Sequence, residues 1–196
     1  MKTYLLKSIS YIFHPLLMPL IGAVYFFSVN PILSSATDHL FLLLLIFLST
    51  VVLPLVLYVV LKKLHIVQTI HLKTTKERIL PLLLNALIMG ILSFSIVPKQ
   101  LYYYIIAALL TIILGLILAI LKIKASIHMM ALSGTLTFIS LTSLHLGLLI
   151  STTVLMSVLL IGAMGASRLC LKAHTIKELY IGLIIGVFPQ ILLFTN

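Results

Sequence analysis

Residues 101–121 read LYYYIIAALLTIILGLILAIL, 21 positions without a single charged side chain. A helix rises about 1.5 Å per residue, so about 20 such residues cross the hydrocarbon core of a bilayer. The period-two alternation of a membrane barrel is absent here, and helix is the reading that remains. Working outward in both directions finds runs of the same kind at 11–28, 40–61, 79–97, 127–146, 148–166 and 179–195. The expected fold class is therefore all-α: a polytopic transmembrane helix bundle of six or seven spans, in a single transmembrane domain covering 1–196. The run 11–28 leaves three alternatives open. His14, Pro15 and Pro19 interrupt it, so it is kinked, re-entrant or only partly inserted.

Composition agrees with a lipid solvent. Hydrophobic residues make up 62% of the chain and charged residues 8%, against about 25% charged in soluble domains. The 13 Lys and Arg outweigh the 3 Asp and Glu. In a soluble chain that balance would point to nucleic acid. Here the cations occupy short breaks between apolar runs, so no nucleic-acid partner is expected, and topology or anionic membrane lipids account for them. Cys170 stands alone, which excludes an intrachain disulfide. The mildly basic start resembles a signal n-region, but no small-x-small cleavage site closes the run after it, so an uncleaved first span is expected.

Counting crossings sorts the loops. Residues 1–10, 62–78, 122–126 and 167–178 fall on one face, and 29–39, 98–100, 145–147 and the C-terminus on the other. The first face carries twelve Lys and Arg, the second only Lys99. By charge alone the rich face is cytoplasmic.

Three polar clusters lie on that rich face. They are Lys73-Thr74-Thr75-Lys76-Glu77-Arg78, Lys122 to His128, and Ser167 to Glu178. Singly, a cation at a span end serves as a topology anchor, and His174 with Glu178 four residues on is a local surface pair. Jointly, three clusters bearing His or Arg at a membrane boundary point to function, because ionisable groups are expensive there. On a helix His174 and Glu178 share a face. The carboxylate would take the Nδ1 proton and leave Nε2 free as nucleophile or base. Arg168 would reach them from the preceding loop, and its planar fork suits phosphate oxygens. His14, His39, His65, His71 and His145 read as interfacial or structural, and Gly182-x3-Gly186 as a helix-packing device. No CxxC, HExxH or phosphate-binding glycine loop is present, so no metal or nucleotide site is indicated.

Ser167-Arg168-x5-His174-x3-Glu178 resembles the SRxxxxxHxxxD signature of the type-2 phosphatidic acid phosphatase superfamily, which includes membrane lipid phosphatases and vanadium haloperoxidases. Ala125-Ser126-Ile127-His128 is similar to its PSGH motif, and Lys73 to Pro81 loosely to its KxxxxxxRP motif, so the likeness spans about 73–186. The resemblance implies a hydrolase of lipid phosphates or diphosphates that needs no metal or other cofactor. His174 would form a phosphohistidine, with Glu178 orienting it and His128 protonating the leaving alcohol. Arg168, Ser126, Arg78, Lys73 and Ser167 would surround the phosphate. It also implies a bacterial cytoplasmic (inner) membrane protein with the site on the outer face, opposite to the charge reading. The chain departs from the pattern at Glu178 (for Asp), Ile127 (for Gly), Ala125 (for Pro) and in the Lys73–Arg78 spacing. A hairpin, 79–121, separates the first two motifs. These departures keep an alternative open: a catalytically inactive relative that binds anionic lipid or assists envelope lipid transport. A small transporter is a third reading, but no inverted repeat is evident.

Overall fold

The computed structural model describes residues 8–30, 36–64, 74–95 and 97–194. These form helices throughout, with no strand among them. Seven helices follow one another: α1 (Ser8–Val29), α2 (Asp38–Lys63), α3 (Thr75–Leu92), α4 (Lys99–Ile120), α5 (Ile127–His145), α6 (Ile150–Cys170) and α7 (Ile176–Phe194). Six are long and apolar enough to cross a membrane. The chain is an integral, multi-pass membrane protein built as an all-α bundle. The exception is α3, whose first turn holds Lys76, Glu77 and Arg78. Its apolar part starts at Ile79 and is shorter than a full crossing requires.

The first span resolves as a kinked helix. A turn at Phe13–His14 and a 3-10 turn at Pro15–Leu17 interrupt α1 before it resumes at Met18. Pro15 and Pro19 have no N–H to donate, so the ladder breaks where they fall. The carbonyl of Met18, at the break, accepts from Tyr104 Oη at 2.9 Å and from Thr135 Oγ1 at 3.3 Å. Tyr104 and Thr135 of neighbouring helices thus anchor the start of the resumed helix through its backbone. In α2 a π turn at Leu48–Val52 precedes Pro54, widening the helix where the proline ring would meet the Thr50 carbonyl.

α5 is the centre of the bundle. Of its span 56% is buried, against at most 33% for any other span. It is also the least apolar span, because Ser133, Thr135, Thr142 and Ser143 are buried along it and face protein. Two apolar clusters flank it. One joins Phe26, Ile46, Met89, Tyr104 and Phe138; the other joins Met18, Met129, Leu136, Met164 and Leu179. Leu40, Phe41 and Leu44 of α2 and Leu155, Val158 and Leu159 of α6 point outward, as lipid-facing positions must.

Gly182 and Gly186 bring α7 against α5. A Cβ on Gly182 would stand 2.7 Å from the Ser126 carbonyl, and one on Gly134 would stand 3.1 Å from that of Gly186. The packing role read from the Gly-x3-Gly spacing therefore operates within the chain, between backbones in contact.

Candidate functional site

Each polar cluster sits where a helix begins or ends, and capping chemistry fixes it there. Thr175 caps α7: its Oγ1 accepts from Glu178 N at 3.3 Å, and Glu178 Oε2 accepts from Thr175 N at 3.4 Å. This reciprocal capping box locks the carboxylate in place. The same Oε2 lies 2.6 Å from His174 Nδ1 and 3.6 Å from Lys124 Nζ. His174 precedes α7, so the pair closes across the cap rather than along a helix face. The reason is Thr175, which starts the helix one residue after the imidazole.

Arg168 lies in the last turn of α6, not in a loop. That helix ends with Lys172 at φ 51, a left-handed residue that turns the chain toward His174, and Ala173 N donates to Arg168 O at 3.0 Å. The guanidinium Nη2 donates to Ser10 Oγ of α1, which in turn lies 3.2 Å from Ser167 Oγ. Arg168 Nε is buried and makes no hydrogen bond among the described residues.

Ser126 caps α5. Its Oγ accepts from Met129 N at 3.4 Å, and its own N–H donates to Glu178 O at 3.1 Å. The residue is fully buried, so its hydroxyl holds the helix start instead of facing an open pocket. His128 follows in the first turn. Its ring meets the backbone of Ser10 and lies within the electrostatic reach of Arg168, His14 and His174. The rings of His14 and His128 meet edge to face, centroids 5.7 Å apart.

Arg78, 5% exposed, donates Nη1 to the Ala125 carbonyl at 2.7 Å. It thereby ties the start of α3 to the segment before Ser126. Lys124 Nζ donates to the Ala173 carbonyl at 3.1 Å, tying that same segment to the one before His174. All the cluster residues described thus gather at one end of the bundle. Lys73 lies outside the described residues.

The electrostatics favour a neutral His174. Burial and the cations Arg78 and Lys124 hold its imidazole below the ordinary value of 6.5, while Glu178 opposes them. At neutral pH the ring therefore carries one proton. Glu178 holds that proton on Nδ1, which leaves the Nε2 lone pair available for attack.

Two residues escape a reading by motif: Ser10 and His14, both from α1. The signal was present, since Ser10 and His14 are four apart at the head of an apolar run, and a histidine inside a span is costly without a polar site to face. Comparison with family models, with curated proteins and with solved structures finds no match to this chain.

Proposed function

We propose that the chain is a divergent lipid phosphatase of the type-2 phosphatidic acid phosphatase kind, hydrolysing a lipid phosphate or diphosphate in a bacterial cytoplasmic membrane. The observation that carries this is the meeting of the His174–Glu178 pair with His128 and Arg168 at one end of the bundle. Nε2 of His174 attacks phosphorus and forms a P–N bond as the bond to the lipid oxygen breaks. His128 gives its proton to that leaving oxygen. Water then attacks the phosphohistidine and loses a proton to His128, releasing inorganic phosphate and restoring both rings. Arg168 steadies the charge on the phosphoryl oxygens.

Phosphate release from a panel of lipid phosphates by purified protein tests this reading. Wild type should exceed His174→Ala by about 10³-fold or more, the scale of losing a catalytic nucleophile; equal slow rates sink it.

A second reading is a non-catalytic anionic-lipid binder. The burial of Ser126, which commits its hydroxyl to a helix cap, supports it by withdrawing one phosphate ligand from the site. It expects phospholipid binding that survives His174→Ala and weakens on Arg168→Ala. Which leaflet supplies the lipid is read by a reporter fused after Asn196: activity of a cytoplasm-only reporter puts the polar end outside.

A further inference from the structure

The family motifs leave α1 without a task, yet α1 reaches the site at three points. Ser10 Oγ accepts from Arg168 Nη2 and lies within hydrogen-bonding distance of Ser167 Oγ. The backbone of Ser10 meets His128. One turn later His14 sets its ring against the edge of His128. Its Nδ1 accepts from Leu16 N at 3.4 Å, so the 3-10 turn fixes the ring plane. The contacts with Arg168, Ser167 and His128 each join residues more than a hundred positions apart, and none of these serves to start or end a helix.

We infer that α1 is the positioning element of the anion site, with Ser10 aiming the Arg168 guanidinium and His14 bracing the His128 ring. Arg168 stands at the end of α6 on a flexible stem, and an unaimed guanidinium loses side-chain entropy on every binding event. A hydrogen bond from one Nη to Ser10 removes much of that loss beforehand. It leaves Nε, which has no hydrogen-bond partner among the described residues, to meet an oxyanion. Ser10 itself is buried, so it acts through Arg168 and is a positioning residue.

This inference rests on the phosphate-site reading above, but its test does not need turnover. Orthovanadate is a tetrahedral oxyanion, and its binding to detergent-solubilised protein is measured by calorimetry. Ser10→Ala should weaken binding about tenfold, the scale of one lost hydrogen bond to a charged group. Ser10→Thr, which keeps the hydroxyl, should bind like wild type. The double variant Ser10→Ala/Arg168→Ala should bind no more weakly than Arg168→Ala alone, because Ser10 has nothing left to position.

Wild-type affinity in Ser10→Ala, loss in Ser10→Thr equal to that in Ser10→Ala, or multiplying losses in the double variant would each overturn the inference. No vanadate binding by wild type also overturns it. If the non-additivity holds while wild type releases no phosphate, the phosphatase reading fails and the positioning role of Ser10 stands. His14→Ala adds a second readout: turnover of an alkyl phosphate should fall more than turnover of an aryl phosphate, whose leaving group needs no proton from His128. Equal losses on both substrates count against the bracing role.

Discussion

Glu178 Oε2 meets His174 Nδ1 at 2.6 Å while also accepting from the N–H of Thr175 at 3.4 Å, so one oxygen serves both the imidazole and the start of α7. A helix cap and a candidate catalytic pair share an atom, and substitutions at this residue separate the two roles.

Glutamine is as good as glutamate in a capping box, but it carries no charge to stabilise an imidazolium or a phosphohistidine. Glu178→Gln should therefore unfold within about 0.5 kcal/mol of wild type while phosphate release falls about 10²-fold or more, since the comparable loss in an acid–histidine pair is larger still. Glu178→Ala should lose the cap as well, at a further cost of about 1 kcal/mol. Thermal unfolding in detergent and phosphate release on the same samples check both. A normal rate in Glu178→Gln would leave the residue a cap and nothing more.

The pH dependence follows from His174. Its folded value lies below 6.5, so between the two values the unfolded chain binds more protons. The stability it contributes is then complete above 6.5 and is lost as pH falls from there toward the folded value. The proposed attack on phosphorus needs the Nε2 lone pair, so the acidic limb of kcat/KM should also lie below 6.5. Lys124→Met removes a cation that lowers the His174 value and should move the limb to higher pH; Glu178→Gln should move it lower. A limb that ignores both substitutions belongs to another group.

Helix existence was legible in the sequence because lipid exposure demands runs of about 20 apolar residues, and such runs are hard to mistake. Helix ends were less so. Thr175 and Ser126 set them through single hydrogen bonds, which moved His174 off the helix and buried a hydroxyl expected to face phosphate. The span read at 79–97 came out shorter, ending at Leu92, and Arg168 came out helical. Spacing brought out His174, Glu178, Arg168 and His128, since their pattern is local. Ser10 and His14 join the site through contacts 114 to 158 positions away, and no local pattern encodes those.

Two helices leading into the site end on a lysine in the left-handed region: Lys122 at φ 61 after α4 and Lys172 at φ 51 after α6. A non-glycine residue there costs about 1 kcal/mol. Both side chains are at a helix C-terminus, where a cation recovers about 0.3–1 kcal/mol. Lys122→Gly and Lys172→Gly should therefore change unfolding free energy by less than about 1 kcal/mol, in the stabilising direction. Their alanine counterparts, which keep the backbone cost and lose the charge, should be destabilised. Unfolding of the four variants in one detergent ranks them; glycine falling below alanine would contradict the account.

The last relationship ties the two halves of the candidate site together by backbone alone. Ser126 N donates to Glu178 O at 3.1 Å, and one turn further along α7 a Cβ on Gly182 would stand 2.7 Å from Ser126 O. That oxygen belongs to the backbone, so it moves only if α5 and α7 separate. Gly182→Ala should cost about 1–3 kcal/mol, the range for overpacking a close contact. It should also draw Ser126 and His128 away from His174 and Glu178, lowering phosphate release beyond what partial unfolding explains. Gly162 and Gly165 on α6 supply the control, because a Cβ on either meets nothing within 4 Å. Alanine there removes only the helix penalty of glycine and should stabilise by up to about 1 kcal/mol. If all three variants keep wild-type activity per folded molecule, the α5–α7 contact supports the bundle without setting the distance between the two motifs.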